Sequence, residues 1–251
     1  MANEAAPQMI YGRHPVADAI RSGTPIDKVI LQQGIRGEME KELRHLCKAE
    51  GIPLQVAPKE RLNKMVRGNH QGVIALQSFV RYYRLEDVLP GIYENSEVPL
   101  LLLLDGVTDV RNFGAIARTA EALGAHALVI PQKNSAQINA EAMKASAGAL
   151  SKIPVCRESS LAVAIDYLRL SGIRVLASSL EAAAPLYALD LQMPAAFILG
   201  AEGEGISPAI LRQADERFII PQSGTTDSLN VSVAAGMMLY EAMRQRRGAG
   251  Q

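Results

Sequence analysis

Leu100 to Leu104 is an unbroken run of five leucines directly after Pro99. A half-exposed strand alternates apolar with polar residues, and this run does not. It reads as a strand covered on both faces, and such strands belong to parallel sheets packed between helices. The residues that follow keep alternating between the two kinds of element. Strands are expected at Ala127 to Ile130, Ile153 to Cys156, Ile173 to Ala177, Ala196 to Leu199 and Phe218 to Ile220. Between them lie helical patterns: one with Ile116, Ala120 and Leu123 as its core face and Asn112 as N-cap, one from about Asn139 to near Gly148, then Leu161 to Leu170, Ala209 to Gln213, and Val231 to about Arg244. The fold class is therefore α/β.

The first part of the chain has its own alternation. Pro15 suits a first helical turn, with Val16, Ala19 and Ile20 as a short apolar face ending at Gly23. Strands are expected at Lys28 to Leu31, Leu54 to Val56 and Val73 to Phe79, an amphipathic helix from Gly37 to Glu50, and a helical turn or two over Lys59 to Met65. Residues 9–80 thus form a small α/β domain. Arg81 to Glu97 loses periodicity and contains Pro90 and Gly91, which marks it as a linker with a helical turn around Leu85 to Leu89. Residues 98–247 form the second, larger domain.

Charge separates the two parts. The 251-residue chain has zero net charge, yet residues 1–83 hold 12 Lys/Arg against 8 Asp/Glu, and the remainder 14 against 18. A basic first domain is compatible with a nucleic-acid partner, because phosphate neutralisation gives sequence-independent affinity. A solvated helix face has the same signature. Cys47 and Cys156 are far apart in unlike contexts, and His14, His45, His70 and His126 show no ligand spacing, so neither a disulfide nor a metal site is expected. The first residues, MANEAAPQ, have no signal pattern, and no apolar run approaches membrane-spanning length, so a cytosolic protein is expected.

Chemistry concentrates in three stretches. Gly114-Ala115-Ile116-Ala117 precede Arg118, and small residues follow it; such neighbours would help an arginine aimed into a tight site, though a snorkelling surface arginine fits the spacing equally. Glycines at 200, 203 and 205 follow a buried strand, but their order is not the G-x-G-x-x-G of dinucleotide sites, and they come late in the sheet. This argues against a nicotinamide-dependent dehydrogenase. Finally, a polar loop containing Gly224, Thr225, Thr226 and Asp227 leads into Ser228-Leu229-Asn230-Val231-Ser232 at the start of the last helix. Strand, polar loop and helix start are where α/β folds place ligands, while Ser228 or Asn230 could equally be a plain N-cap.

These stretches together resemble the motifs of the SpoU family of RNA ribose methyltransferases. Asn112-x-Gly114-x-x-x-Arg118 after a strand ending Asp105-Gly106 is similar to the first motif, ILGAEGEGIS with Gly200, Glu202 and Gly203 to the second, and SLNVSVA to the third. The phrases IYGRHPV and NHQGVIA resemble the small RNA-binding domain, related in fold to a ribosomal protein, of members that act on ribosomal RNA. Arg13, His14 and His70 within them are candidate RNA contacts.

The resemblance implies a SPOUT fold, in which a deep trefoil knot holds S-adenosylmethionine, and the expected donor-binding residues are Gly200, Ile220 and Leu229. It implies methyl transfer to a ribose 2′-hydroxyl, with Arg118 lowering the hydroxyl's pKa or taking its proton while Asn112, Glu202, Ser228 and Asn230 orient it. Because arginine is a poor base, the preferred reading is that Arg118 bridges a phosphate and stabilises the alkoxide. It also implies a homodimer, which the two-sided apolar character of the last helix matches, and an RNA rather than DNA partner. The similarity is greatest to enzymes modifying a guanosine of 23S rRNA, with one departure: Val110-Arg111 stands where those enzymes usually have Pro-His. Rival readings are a tRNA ribose methyltransferase and a catalytically silent ribosome-assembly factor. The silent factor predicts damage at Asn112, Arg118, Glu202 or Asn230, and all four are intact.

Overall fold

The computed structural model describes residues 8–224 and 228–248 and divides into two compact units, the first running to Arg81 and including Ile138–Ala140, the second formed by Tyr82–Gln137 and the chain from Glu141. Among the described residues no helix is long and apolar enough to cross a membrane.

The first unit contains β1 (Met9–Tyr11), α1 (Arg13–Arg21), β2 (Ile26–Gln32), α2 (Glu38–Ala49), β3 (Leu54–Ala57), α3 (Lys59–Met65) and β4 (Val73–Gln77). Its sheet runs β1-β4-β2-β3, with β2 and β3 parallel and the other pairs antiparallel. Successive residues of β2 face opposite ways. Val29 and Leu31 join Val16, Ile20, Leu43 and Cys47 from α1 and α2, whereas Ile30 packs with Leu62 of α3 and Ile74 of β4. The three-residue β1 carries too short a pattern to read from sequence and forms because β4 offers it an edge.

The second unit contains β5 (Tyr82–Tyr83), α4 (Leu85–Glu94), β6 (Leu100–Asp105), α5 (Val110–Ala122), β7 (Ala127–Pro131), α6 (Ala140–Ala145), β8 (Val155–Glu158), α7 (Leu161–Leu170), β9 (Arg174–Ser178), β10 (Ala195–Gly200), α8 (Pro208–Leu211), β11 (Glu216–Phe218) and α9 (Val231–Gly248). Its sheet is parallel throughout, in the order β11-β9-β10-β6-β7-β8-β5. The five leucines of β6 occupy its centre and are each 1% exposed or less. Leu101 and Leu103 pack toward Leu85 and Leu89 of α4 and Ile165 and Leu168 of α7. Leu100, Leu102 and Leu104 point to the opposite face, where α5 packs on α9 and α9 on β10.

Three sequence expectations change. Arg81 to Glu97 is not a bare linker: β5 pairs with β8, and Leu85, Leu89 and Ile92 of α4 are buried in the core of the second unit. The strand expected to end at Cys156 continues through Arg157 and Glu158, because Arg157 stacks over the Tyr82 ring and Glu158 accepts a 2.8 Å bond from the Leu85 N–H. Charged residues thereby occupy positions in a buried strand. The N-cap of α5 is Asp109, not Asn112, since the Asp109 carboxylate accepts from the N–H groups of Arg111 and Asn112 at 2.9 and 2.8 Å. A carboxylate there satisfies two orphan amides and meets the positive end of the helix dipole.

Candidate active site

The chain crosses from one half of the second sheet to the other between β8 and β9, leaving β6 and β10 side by side at the centre. Ligands of α/β sheets gather beyond the carboxyl ends of strands at such a switch point. The loops leaving β9, β10 and β11 surround a cleft of about 380 Å³ there.

The β10 loop is shaped by close backbone approach. Ala201 and Gly205 exchange N–H···O bonds of 3.1 and 2.8 Å, closing a tight turn in which Gly203 and Gly205 have φ of +82° and +71°. That turn folds back over Gly200, where a Cβ would lie 2.0 Å from the Gly205 carbonyl carbon. Asp105, paired with Gly200 across the sheet, accepts from the Ser207 N–H at 2.7 Å and anchors the far end of the loop. Only glycine at 200 permits this path.

Gly200, Ile220 and Leu229, expected to hold the methyl donor, all line this one cleft, as do Glu202 and Ser228. Its remaining walls include Ile219, Val231 and Ala234, with Ser178, Ser179 and Gln222 as polar lining that the sequence reading missed. Among the described residues three carboxylates, Glu181, Glu202 and Glu204, line it and no lysine or arginine does. An apolar cleft with backbone walls and anionic side chains suits a ligand that is part apolar and part cationic.

At its mouth a hydrogen-bonded chain joins the first turn of α5, the loop after β10 and the start of α9. Asn112 Nδ2 donates to Glu202 Oε2 at 3.0 Å, and Asn230 Nδ2 donates to Asn112 Oδ1 at 3.1 Å. Asn230 Oδ1 in turn accepts from the backbone N–H and the hydroxyl of Ser232, at 2.9 and 2.6 Å. Ser232 thus fixes the Asn230 amide, Asn230 fixes Asn112, and Asn112 holds one oxygen of Glu202. Freed from capping by Asp109, Asn112 has both ends of its side chain available for this chain. Ser232 carried a sequence signal, a hydroxyl two residues after an asparagine at a helix start.

Arg118 is not brought into the cleft. It lies exposed on α5, six residues and about 9 Å of helix rise beyond Asn112. Among the described residues it has no hydrogen-bond or ion-pair partner. The helix packs closely behind it: a Cβ at Gly114 would lie 2.5 Å from the Ala145 Cβ, and Gly236 of α9 faces Thr119. The small residues around Arg118 therefore serve helix packing. Thr225, Thr226 and Asp227 of the polar loop lie outside the described residues.

A glycine-shaped turn at the switch point of a parallel sheet walls a cleft lined by carboxylates, and the family matches make that cleft the donor site of an S-adenosylmethionine-dependent methyltransferase. Residues 99–240 match the SpoU rRNA Methylase family, and residues 9–83 match the RNA 2′-O ribose methyltransferase substrate-binding family. The chain belongs to the SpoU family of RNA methyltransferases. It is 34% identical over 242 residues to YacO of Bacillus subtilis (strain 168), described as a TrmH family tRNA/rRNA methyltransferase, covering 96% of this chain and 97% of that one. An AdoMet-bound rRNA methyltransferase from Sinorhizobium meliloti has a TM-score of 0.60 at 28% identity, covering 94% of this chain and 86% of its own. A TrmH/SpoU tRNA modifying enzyme from A. aeolicus, with a TM-score of 0.56 at 31% identity, covers 66% of this chain and 86% of its own.

Proposed function

We propose that this enzyme methylates the ribose 2′-hydroxyl of a guanosine in 23S rRNA, in the cytosol. The observation that carries the reading is the Ser232–Asn230–Asn112–Glu202 chain at the mouth of a cleft that, among the described residues, no cationic side chain lines. Bound in that cleft, S-adenosylmethionine supplies an electrophilic methyl group on a sulfonium. Gly200, Ile220 and Leu229 hold the donor through backbone and apolar contact, and the carboxylates lining the cleft complement its charge. A trefoil knot in the C-terminal segment, expected of the family, accounts for loops from β9, β10 and β11 converging on one cleft.

The acceptor hydroxyl is a weak nucleophile and must lose its proton near the transition state. Asn112, Glu202, Ser228 and Asn230 orient it, and alignment supplies much of the acceleration. Arg118 is a poor base because guanidinium stays protonated. Its role is to neutralise the developing oxyanion and to grip an adjacent phosphate. Since Arg118 stands outside its own cleft, it completes the site of a second copy. Val233, Met237 and Tyr240, spaced i, i+4 and i+7 on α9 and exposed, are the apolar stripe through which two copies pair.

Ribosomal rather than transfer RNA is favoured by the first unit. The rRNA enzyme from S. meliloti matches it along with the second unit, whereas the tRNA enzyme spans two thirds of the chain. Residues 1–83 also carry the basic surplus. Arg118→Ala tests the mechanism: donor affinity is retained while methyl transfer falls by about 10²- to 10³-fold, the usual effect of removing an oxyanion-stabilising group. Full methylation by that variant would refute the role. Light scattering should give a dimer at micromolar concentration, and a monomer would count against completion by a second copy.

A further inference from the structure

A second cleft, of about 670 Å³, lies wholly within the first unit, where the β1–α1, β2–α2 and α3–β4 connections meet the start of α3. Among the described residues its lining contains no acidic side chain. Two consecutive left-handed residues shape it: Gln71 has φ of +49° and Gly72 of +78°. A non-glycine residue in that region is uncommon and is held by its surroundings. Here the holding contacts are visible. Gln71 Oε1 accepts from the Arg13 N–H at 3.2 Å, and the Gln71 carbonyl accepts from Arg13 Nε at 3.2 Å.

His70 is the buried keystone of the cleft, 6% exposed. Its Nδ1 accepts from the Gly72 N–H at 2.9 Å, so the proton is on Nε2, which donates to Asn63 Oδ1 at 2.8 Å. Both ring nitrogens are used internally. His70 therefore builds the cleft, and neither ring nitrogen is left for a ligand. Because each amide oxygen is engaged, Asn63 and Gln71 are left with their –NH2 groups as unpartnered donors among the described residues. The Arg13 terminal nitrogens, the Lys59 ammonium and the His14 ring likewise have no partner there. The cleft is thus a pocket of free donors and positive charge with two oriented amides.

Resting on the reading of the substrate as RNA, we propose that this cleft holds one unpaired nucleotide of a single-stranded RNA segment. Arg13, His14 and Lys59 take its phosphate, and the Asn63 and Gln71 amides donate to carbonyl oxygens on its base edge. A duplex cannot use the site, because its base edges are paired and its nucleotides stacked.

Fluorescence anisotropy of the full-length protein with labelled single-stranded oligoribonucleotides, with and without the complementary strand, tests this. Lys59→Gln should weaken single-strand binding about tenfold and lower the slope of log K against log[salt] by about 0.7, the value for one phosphate contact on a single strand. Asn63→Asp keeps the acceptor that His70 needs but replaces the donor with a negative oxygen, and should weaken binding at least as much. Lys48→Gln on α2, outside the cleft, should change neither quantity, and all three variants should bind S-adenosylmethionine and melt as the parent does. Equal binding of duplex, parental affinity in Lys59→Gln and Asn63→Asp, or an equal effect of Lys48→Gln would overturn the proposal while methylation of ribosomal RNA by the same variants still stood. Absence of RNA binding by the parent protein would overturn it together with the RNA reading.

Discussion

Gly200→Ala is the sharpest perturbation the cleft offers. The added methyl carbon would lie 2.0 Å from the Gly205 carbonyl carbon and 2.2 Å from both the Gly205 oxygen and the Ile206 nitrogen. These are backbone atoms, so no side chain can rotate aside, and the 201–206 turn must move outward by more than about 1 Å to restore van der Waals distance. The two bonds closing the turn, 3.1 and 2.8 Å, cannot survive that movement. Losing them costs about 1 kcal/mol each, and residual overpacking brings the total to about 2–3 kcal/mol. If donor binding requires the original path, binding must supply that energy, which is a loss of about 30- to 150-fold in affinity. The melting temperature should fall by about 4–12 °C for a domain of this size. Isothermal titration of S-adenosylmethionine is the direct assay. Gly203→Ala is the control: nothing lies within 4 Å of its Cβ, although φ is +82°, so it strains the turn without moving the wall and should lose less than about tenfold. Donor binding by Gly200→Ala within about threefold of the parent would refute the argument that close backbone approach shapes the cleft.

Other expectations follow from particular contacts. Asn112→Ala and Asn230→Ala should each impair methyl transfer, and the double variant should be non-additive by about 0.5–3 kcal/mol in transition-state energy, because the two amides share one bond; additive losses in kcat/KM would break the chain into independent parts. Arg246 ties the end of α9 to the starts of β6 and β10, donating to the carbonyls of Leu191, Val98, Pro99 and Met193 at 2.7 to 3.1 Å. Arg246→Ala should cost about 2–4 kcal/mol in urea unfolding, the loss of several charge-assisted bonds, and an unchanged midpoint would contradict it. Burial holds the Glu158 carboxyl above the usual range, with the Leu85 N–H opposing. Its native pKa being the raised one, its contribution to stability is full below about pH 4.3, the unfolded value, and is lost as pH rises through the native value. Glu158→Gln should flatten that part of the stability–pH curve. Burial likewise pushes the Cys47 thiol up to about 11 and raises Cys156 as well. Neither should react with a disulfide reagent at pH 8 until the chain is unfolded, and rapid labelling of the native protein would show the burial to be wrong.

Much of this architecture was legible because it is written in periodicity. The leucines of β6 have no polar member and follow a proline, which reads as a doubly covered strand, and the Ser160-capped α7 begins and ends where the pattern says. Legibility fails where a polar residue finds its partner far along the chain. Arg157 and Glu158 sit in a buried strand because Tyr82 and the Leu85 N–H receive them, and neither partner is visible from sequence distance alone. Asp109 and Asn112 are both good caps on paper. Glu202, 90 residues away, is what gives Asn112 its other use. At the cleft, the glycine spacing excluded a dinucleotide site, but it did not reveal that Gly200 is required by the backbone of Gly205. Arg118 marks the limit: its motif position is plain, yet one chain leaves it in solvent.

Transfer of a labelled methyl group from S-adenosylmethionine to RNA from cells lacking this protein, followed by nuclease digestion and mapping, tests the central claim most directly. A single labelled site is expected, a guanosine ribose of 23S rRNA, with its labelling slowed about 10²- to 10³-fold in Arg118→Ala. Label on a nucleobase, or on transfer RNA alone, would contradict it.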